Sequence, residues 1–397
     1  MRKFLGIFLT AAFFGGLFFY FILRQATFKP TFKSTKDLSK KTERETEKKR
    51  PKIEAKSQGL DTIQPLGFKA KTIFVPQWQI NQLNQWESVE ISPAQADQLN
   101  QYQRVIYFGS EENFELFNKM LRSQLNFKGE VWFTVKITQL PQEKSWLSER
   151  EKTVDIVKNY NLQGVALDLE INSLPTDDLV NQINNFVQDF RKELAIGNWK
   201  LGIILYGDTF FRKRPYDVGF LSKNSDEVMV MAYDFHKSYG EPGPNFPYEA
   251  KDKFGYDFKT MIDDFLKFVL PEKLTVIFGM YGYDWRVDEK KRPITQAKAL
   301  TLKQIKEKFI MEASSNRAKK DDNIGCRLEN CIIKRDEVSK EVEINYVISS
   351  KTPDDQGIYH LDYHIVWFED EESVKIKTDF LKEKGVGSVA FWAWRYF

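Results

Sequence analysis

The chain has 397 residues, of which 42% are hydrophobic and 15% aromatic, so it contains enough apolar material for one large domain or two medium ones. Its formal net charge of +3 is small, and charge alone therefore gives no reason to expect a nucleic-acid partner. The 3 His and 2 Cys residues are too few to predict a metal centre, so we expect none.

The first 24 residues predict a membrane anchor. Two basic residues precede an uncharged run over 4–23, and about twenty residues of helix span about 30 Å, the thickness of the hydrocarbon layer of a bilayer. A cleaved signal peptide is the alternative, although its apolar run is usually shorter and ends at a small-residue cleavage site, for which we find no convincing pattern. We therefore expect a single-pass anchor over 1–24.

Residues 25–68 predict a solvated tether, because the stretch over 33–58 is nearly all charged or polar and cannot form a core. Basic residues follow the apolar run, and the positive-inside rule weighs them against export of the chain beyond it. We still expect residues 69–397 to lie outside the cytoplasm at the cell membrane, because the substrate class inferred below is found there.

From Lys71 onward, short apolar or β-branched runs alternate with segments whose apolar residues recur at helical spacing. The helical segments include 177–195 and 371–385, the second with Gly385 placed to end its helix. This alternation predicts a parallel sheet with right-handed crossovers, and eight such units predict a closed (β/α)₈ TIM barrel, an α/β fold. The strand candidates are 71–78, 103–109, 130–137, 164–171, 200–208, 227–235, 274–285 and 387–394.

One interval is longer than a single helix needs, from about residue 286 to 363. We interpret it as a small α+β insertion between the seventh and eighth strands, with a helical stretch and strand-like stretches. These are 296–312, 329–333, 341–348 and 358–366. Cys326 and Cys331 lie inside it, and they form either a short disulfide loop in an exported domain or two free thiols.

The fourth strand candidate, GVALDLEI, carries two acids in an otherwise apolar segment. Asp168 and Glu170 are two residues apart and share a face, whereas Leu167, Leu169 and Ile171 take the other. On the interior face of a barrel, burial and the like charge raise one pKa and make a proton donor usable at neutral pH. The spacing alone favours acid catalysis no more than a pair of structural acids bound to Arg or Lys.

Aromatic residues concentrate at the ends of three later strands. Met231 and Tyr233 share a face of the sixth strand, with Asp234 at its end. YGYDW (281–285) ends the seventh strand candidate and FWAW (391–394) ends the eighth. Sugar rings stack on Trp and Tyr through their C–H faces, so these strand ends predict a carbohydrate cleft.

These motifs resemble glycoside hydrolase family 18, whose fourth strand bears DxxDxDxE, and in particular its spore-cortex-lytic, germination-type bacterial branch. The matching run here is QGVALDLE (163–170), and MAYDFH (231–236) resembles the M-x-Y-D of the sixth strand. YGYDW and the long run HIVWFEDEESVKIKTDFLKEKGVGSVAFW (364–392) resemble that branch most specifically. The resemblance covers residues 71–397.

The resemblance implies substrate-assisted, retaining catalysis without a metal or organic cofactor. Glu170 is expected to be the general acid and then the base, Asp168 to hold and polarise the 2-acetamido group, and Tyr233 to bind its carbonyl oxygen. We further assign to substrate binding Asp234, Met231, Trp392, Trp78, Tyr281 and Trp285.

The sequence departs from the family pattern in two strands. The first two Asp positions of the motif are Gln163 and Ala166, and Ala cannot form a side-chain hydrogen bond. The third strand lacks the S-x-G-G pattern and has Lys136 near its end. We expect that lysine to face solvent rather than to point inward and neutralise the carboxylates.

The main hypothesis is a membrane-anchored, monomeric hydrolase of β-1,4-linked N-acetylglucosamine-containing glycans such as peptidoglycan or a chitin-like polymer. Its partners are that polysaccharide and, through the N-terminal helix, the membrane, with no nucleic acid. A glycan-binding barrel that has lost turnover is the alternative from another class. A weaker third hypothesis is an endo-acting enzyme on the chitobiose cores of glycoproteins.

Overall fold

The computed structural model describes residues 70–81, 98–140, 143–311, 325–349 and 360–397. The predicted anchor over 1–24 and the predicted tether over 25–68 lie outside the described residues. Within the described ranges, every helix is either too short or too polar to cross a bilayer.

The strands of the described chain follow in order. They are β1 (Ala70–Pro76), β2 (Arg104–Phe108), β3 (Glu130–Ile137), β4 (Gly164–Leu169), β5 (Lys200–Tyr206), β6 (Glu227–Ala232), β7 (Leu274–Gly279), β8 (Tyr281–Val287), β9 (Lys298–Thr301), β10 (Cys331–Arg335), β11 (Val342–Ser349), β12 (Leu361–Phe368) and β13 (Ser388–Trp392).

Helices connect most of these strands. They are α1 (Gln77–Asn81), α2 (Glu111–Lys119), α3 (Glu143–Asn159), α4 (Asp177–Ile196), α5 (Val218–Lys223), α6 (Lys251–Phe254), α7 (Phe258–Phe265), α8 (Leu302–Phe309) and α9 (Glu371–Glu383). The helices predicted over 177–195 and 371–385 are confirmed as α4 and α9, whereas the stretch predicted over 296–312 divides into β9 and α8. Thr176 caps α4 by accepting the Leu179 N–H, and Gly385, with φ of 77°, follows α9.

Eight parallel strands close into a barrel in the order β1-β13-β7-β6-β5-β4-β3-β2, which confirms the predicted fold class. Side chains alternate between the two faces of each strand. The interior is packed by residues such as Trp132, Ala166, Met229 and Ile277, whereas Leu167 and its outward-facing neighbours pack in the larger cluster that includes the helices.

The insertion between β7 and β13 forms a second sheet, antiparallel, in the order β10-β11-β12-β8-β9. It runs from Tyr281 to Phe368, wider than the predicted 286–363. The prediction of one strand over 274–285 is wrong. The Met280 N–H donates to Trp392 O at 2.8 Å, and beyond it the chain leaves the barrel and pairs with β12. Of the two alternatives left open for the cysteines, the structure has the Cys326–Cys331 disulfide.

A fully buried charge cluster fastens the insertion to the barrel. Lys377 of α9 donates to Glu341 at 2.9 Å and to Glu369 at 2.7 Å, and none of the three side chains is exposed. Glu341 also accepts the backbone N–H groups of Asn245 at 2.5 Å and Phe246 at 2.7 Å, in the loop after β6. Because this loop borders the carboxyl end of the barrel, the cluster fixes one wall of the cleft described next.

Candidate active site

A cavity of about 490 Å³ opens at the carboxyl ends of the barrel strands. Of the nine residues assigned to the site from sequence, eight line it: Trp78, Asp168, Glu170, Met231, Tyr233, Asp234, Tyr281 and Trp392. They come from segments far apart in sequence, and the parallel barrel brings them together because all its strands end on the same side.

Asp168 and Glu170 enter the cavity from the end of β4, as the alternation of side chains predicts. Asp168 is only 3% exposed, and its Oδ1 has no hydrogen-bond partner among the described residues. Burial, and then the neighbouring Glu170, raise the pKa of Asp168 well above its usual value, while Lys136 opposes the rise. The buried carboxyl is therefore disposed to keep a proton and retains an unused hydrogen-bonding position.

The strand end that carries Glu170 is held from outside the barrel by Tyr216. The Tyr216 hydroxyl donates to Leu169 O at 2.7 Å and accepts the Ile171 N–H at 2.9 Å. The Glu170 N–H donates to Ile137 O at 2.9 Å, which extends the pairing with β3 by one residue. Glu170 is thus fixed at the rim of the cavity, with its side chain 24% exposed.

Glu170 has two side-chain partners at this rim. Lys136 Nζ lies 2.8 Å from its Oε1, and the Tyr206 hydroxyl donates to its Oε2 at 3.3 Å. Lys136 is 41% exposed, as expected, but it also points into the barrel towards the carboxylates, which was the less favoured alternative. It follows Trp132 by four residues on β3 and shares its inward face, and the register places it beside Asp168. The ion pair nevertheless has an open cleft above it.

Asp234 and Tyr233 form the wall contributed by β6. Asp234 has a positive φ of 58°, and this turn is held by its N–H, which donates to Asn245 Oδ1 at 2.8 Å. Its Oδ1 accepts the hydroxyl of Tyr281 and, at 2.8 Å, that of Tyr283. Burial raises the pKa of Asp234, and the two hydroxyl donors oppose that rise.

Tyr233 points its hydroxyl into a site crowded with carboxyl groups. Burial first, then the nearby Asp168, Asp234 and Glu170, raise its pKa well above the usual value. The phenol therefore stays neutral and remains a hydrogen-bond donor at physiological pH.

Aromatic rings form the surface that adjoins Tyr233. The Trp392 ring lies stacked 6.5 Å from Tyr233 and edge-on 5.0 Å from Phe108. Trp78 lies 5.8 Å from Trp392 and is 42% exposed, with its Nε1–H donated to the Tyr396 hydroxyl at 3.4 Å. A half-exposed indole beside a partly buried one provides a stacking surface for a flat apolar ring face.

Trp285 does not belong to this cavity, which corrects its assignment to substrate binding. It is fully buried in the insertion, where it packs with Val287, Ile365 and Trp367. Its Nε1–H donates to Gly240 O at 3.0 Å. Tyr283 and Trp285 both lie where β8 pairs with β12, but Tyr283 still lines the cavity, whereas Trp285 is enclosed by its neighbours in the insertion.

The sequence reasoning missed several lining residues: Phe108, Tyr206, Lys237, Tyr283 and Tyr396. Tyr206 ends β5, so the rule that strand ends carry the site would have found it. Lys237 lies in a loop and Tyr396 beyond the last strand, where no periodicity marks them. Among the described residues, no group of three or more His, Cys, Asp or Glu side chains is arranged to hold a metal ion.

The fold and the cleft are those of a family of glycosidases. The family described as Glycosyl hydrolases family 18 matches residues 150–396, more than half of the chain, and the chain belongs to this family. The resemblance stated from the motifs is therefore confirmed.

The relatives are distant. The chain is 23% identical to the cortical fragment-lytic enzyme of Bacillus anthracis over 248 residues, which are 59% of this chain and 47% of that protein. The chain spans about half the length of the curated relatives it matches.

Solved structures share the fold. The Bacillus cereus spore cortex-lytic enzyme SleL aligns with a TM-score of 0.56 at 15% identity, over 83% of this chain and 71% of that one. A family 18 N-acetylglucosaminidase from Paenibacillus barengoltzii aligns with a TM-score of 0.59 at 14% identity, over 83% of this chain and 96% of that one.

Proposed function

We propose that this protein is a glycosidase that hydrolyses β-1,4-linked glycans containing N-acetylglucosamine, with retention of configuration and with help from the substrate's own acetamido group. One observation carries the proposal. A buried carboxyl group, Asp168, lies beside a rim carboxyl group, Glu170, in a cleft walled by Tyr233 and Trp392.

The residues divide the first step among them. Glu170 gives a proton to the glycosidic oxygen, and the bond from that oxygen to the anomeric carbon breaks. The acetamido oxygen attacks the anomeric carbon from the other face and forms an oxazolinium ion. Asp168 accepts the acetamido N–H, for which its unpartnered Oδ1 is suited, and the neutral Tyr233 hydroxyl donates to the acetamido oxygen.

Hydrolysis completes the cycle. Water attacks the anomeric carbon, its proton passes to Glu170, and the oxazolinium ring opens to the acetamide. Trp392 stacks beneath the sugar, and Asp234, already fixed by two tyrosine hydroxyls, accepts a sugar hydroxyl.

The departures from the family motif leave this chemistry possible. Gln163 accepts the Val131 N–H at 2.8 Å through its Oε1, so its side chain stabilises the beginning of β3. Ala166 is fully buried against the interior cluster that includes Trp132. Asp168 therefore has no acid at position 166 beside it, and burial is the largest cause of its raised pKa.

The test uses chitooligosaccharides and peptidoglycan glycan strands, with products identified by mass spectrometry. We expect cleavage by the purified protein and a loss of kcat of about 10²–10⁴-fold in Glu170→Gln, because a general acid contributes on that scale. Glu249→Gln is the matched control, since Glu249 is an exposed carboxylate paired with Lys259 at 2.9 Å. Absence of products, or equal rates for Glu170→Gln and the unaltered protein, contradicts the proposal.

A specific observation favours the second candidate, a glycan-binding barrel without turnover. The Lys136–Glu170 ion pair holds the proposed acid in a charged contact. Measurable oligosaccharide affinity together with no product after prolonged incubation is the result that this alternative predicts.

We also propose that the barrel works outside the cytoplasm, attached by the N-terminal apolar segment. The Cys326–Cys331 disulfide supports this location, because such bonds persist in oxidising compartments. Protease added to intact protoplasts is expected to digest the barrel, and protection of the barrel until the membrane is lysed contradicts the location.

A further inference from the structure

The ion pair at the rim of the cleft conflicts with the first step of the proposed reaction. Lys136 Nζ lies 2.8 Å from Glu170 Oε1, so the ammonium occupies one oxygen of the proposed acid. The reaction requires a proton on the same carboxyl group. Something in the bound complex must therefore take Lys136 away from Glu170 or offer it another partner.

The position of Lys136 indicates where that partner lies. Lys136 belongs to β3, on the opposite side of β4 from β6, and the proposed function places Tyr233, at the end of β6, against the sugar held by its acetamido group. Glu170 protonates the oxygen between that sugar and the next, so Lys136 is on the side of the next sugar, the leaving group.

The side chain is free to change partner. It is 41% exposed, and its Nζ lies 5.6 Å from the Phe108 ring centroid, so it rests on an aromatic face at the cavity wall. An exposed pair of this kind has a small net stability, so an incoming anion competes with Glu170 for the ammonium at little cost.

We propose that Lys136 recognises a carboxylate on the leaving-group sugar, and that this recognition releases Glu170 to carry the catalytic proton. The substrate class is a β-1,4 glycan in which an N-acetyl sugar is followed by a sugar with an acidic substituent. The inference rests on the proposed function. A neutral glycan breaks the Lys136–Glu170 pair without replacing it, so it is the poorer substrate.

The experiment compares two forms of one glycan on the full-length protein. The first is a peptidoglycan glycan strand freed of its peptides, in which alternate sugars carry a free carboxylate. The second is the same strand after chemical reduction of each carboxylate to an alcohol. We expect kcat/KM to be at least 10-fold higher for the carboxylate form, and the binding affinity measured by calorimetry to show the same preference.

Three variants locate the preference. Lys136→Met is expected to remove it, so that the two forms react at equal rates, and Lys136→Arg to keep most of it because the charge remains. Lys200→Met is the matched control. It also removes a strand lysine paired with a glutamate, Glu130 at 2.7 Å, but near the amino end of β5 and far along the strand from the cleft. It should keep the preference.

The outcomes separate the inference from the proposed function. If neither glycan is cleaved, the proposed function fails, and the binding preference still tests Lys136. If the unaltered protein treats the two forms alike in both rate and binding, or if Lys136→Met keeps the preference, the inference is overturned. The comparison on the unaltered protein needs no variant, so a folding defect in Lys136→Met does not protect the inference.

Discussion

Two sites in this molecule pair lysine with glutamate at nearly the same distances, but one site is buried and the other is open. Lys377 meets Glu341 and Glu369 where no side-chain surface is exposed, whereas Lys136 meets Glu170 at a half-open rim. A sealed pair has no other partner and is costly to break, because the remaining charge stays buried. An open pair exchanges its partner for water or a ligand. The buried Lys377 site suits a structural link between the insertion and the barrel, and the open Lys136 site suits recognition of a substrate.

The largest expected effect is on stability, at the sealed cluster, which is the buried group of Lys377, Glu341 and Glu369. Lys377→Met leaves two buried carboxyl groups without their cation and should lower the free energy of unfolding by about 3–5 kcal/mol in urea titrations. Lys136→Met should change it by less than about 1 kcal/mol. Lys375→Met, on the same helix but in an exposed pair with Asp379 at 2.9 Å, is the control. Equal losses of unfolding free energy in Lys377→Met and Lys136→Met contradict this contrast between the buried and the open site.

The sealed cluster also predicts a dependence of stability on pH. Burial, with opposition from Lys377, raises the pKa of Glu369 to about 8 from an ordinary value of 4.5. The folded state then binds a proton that the unfolded state releases, so this contribution is fully present below about pH 4.5 and is lost as pH rises towards about 8. The expected decrease is on the order of a few kcal/mol.

Glu369→Gln should flatten that part of the curve, since glutamine does not titrate. Urea titrations at intervals across pH 5–9, an interval chosen to include the raised pKa, provide the measurement. A stability curve of identical slope in Glu369→Gln and the unaltered protein means that Glu369 is not the group responsible.

At the open site, the effect of Tyr233→Phe should appear in turnover. Loss of the hydroxyl removes a donor to the acetamido oxygen, and we expect kcat to fall by roughly 10–10³-fold with little change in the unfolding transition. Tyr363→Phe, at an insertion residue 41% exposed, should leave kcat unchanged. A change in KM without a fall in kcat contradicts the proposed role of Tyr233 in the reacting complex.

The smallest effect on catalysis is expected at Trp78, one of two tryptophans that the sequence assigns to the substrate site and the structure separates. Trp78→Ala removes a half-exposed stacking surface for the sugar, so KM should rise several-fold, which corresponds to a loss of about 1 kcal/mol in binding free energy. The free energy of unfolding should change little. Trp285→Ala removes a fully buried ring and should cost about 3–5 kcal/mol of stability. A raised KM in Trp285→Ala without loss of stability restores that residue to the substrate site.

The barrel was predictable because its signal is local and repeated. Each buried strand shows as a short apolar run, and the alternation of side chains places Asp168 and Glu170 on one face regardless of distant contacts. Tyr233, Asp234 and Trp392 were predicted to share a site because each follows or ends a strand, and parallel strands in a barrel end on one side.

The errors at the seventh strand and at Trp285 share one physical cause, which is that antiparallel pairing across a long insertion leaves no local mark. The residues 281–287 look like a continuation of β7 and in fact pair with 361–368, about eighty residues later. Packing within the inserted sheet, not any local pattern, buries Trp285, whereas Tyr281 and Tyr283 line the cleft. The buried cluster also joins residues that are apart in sequence, since Lys377 lies 36 residues after Glu341 and 8 residues after Glu369.

The sequence by itself determined the eight-stranded barrel, the shared face of the two acids and the family to which the chain belongs, because these follow from periodicity and from residues adjacent in the chain. Tertiary structure alone decided which aromatic side chains reach the cavity and that Lys136 lies against Glu170. Those features depend on the direction and distance of side chains from different strands, and they are set only when the barrel closes and the inserted sheet packs against it.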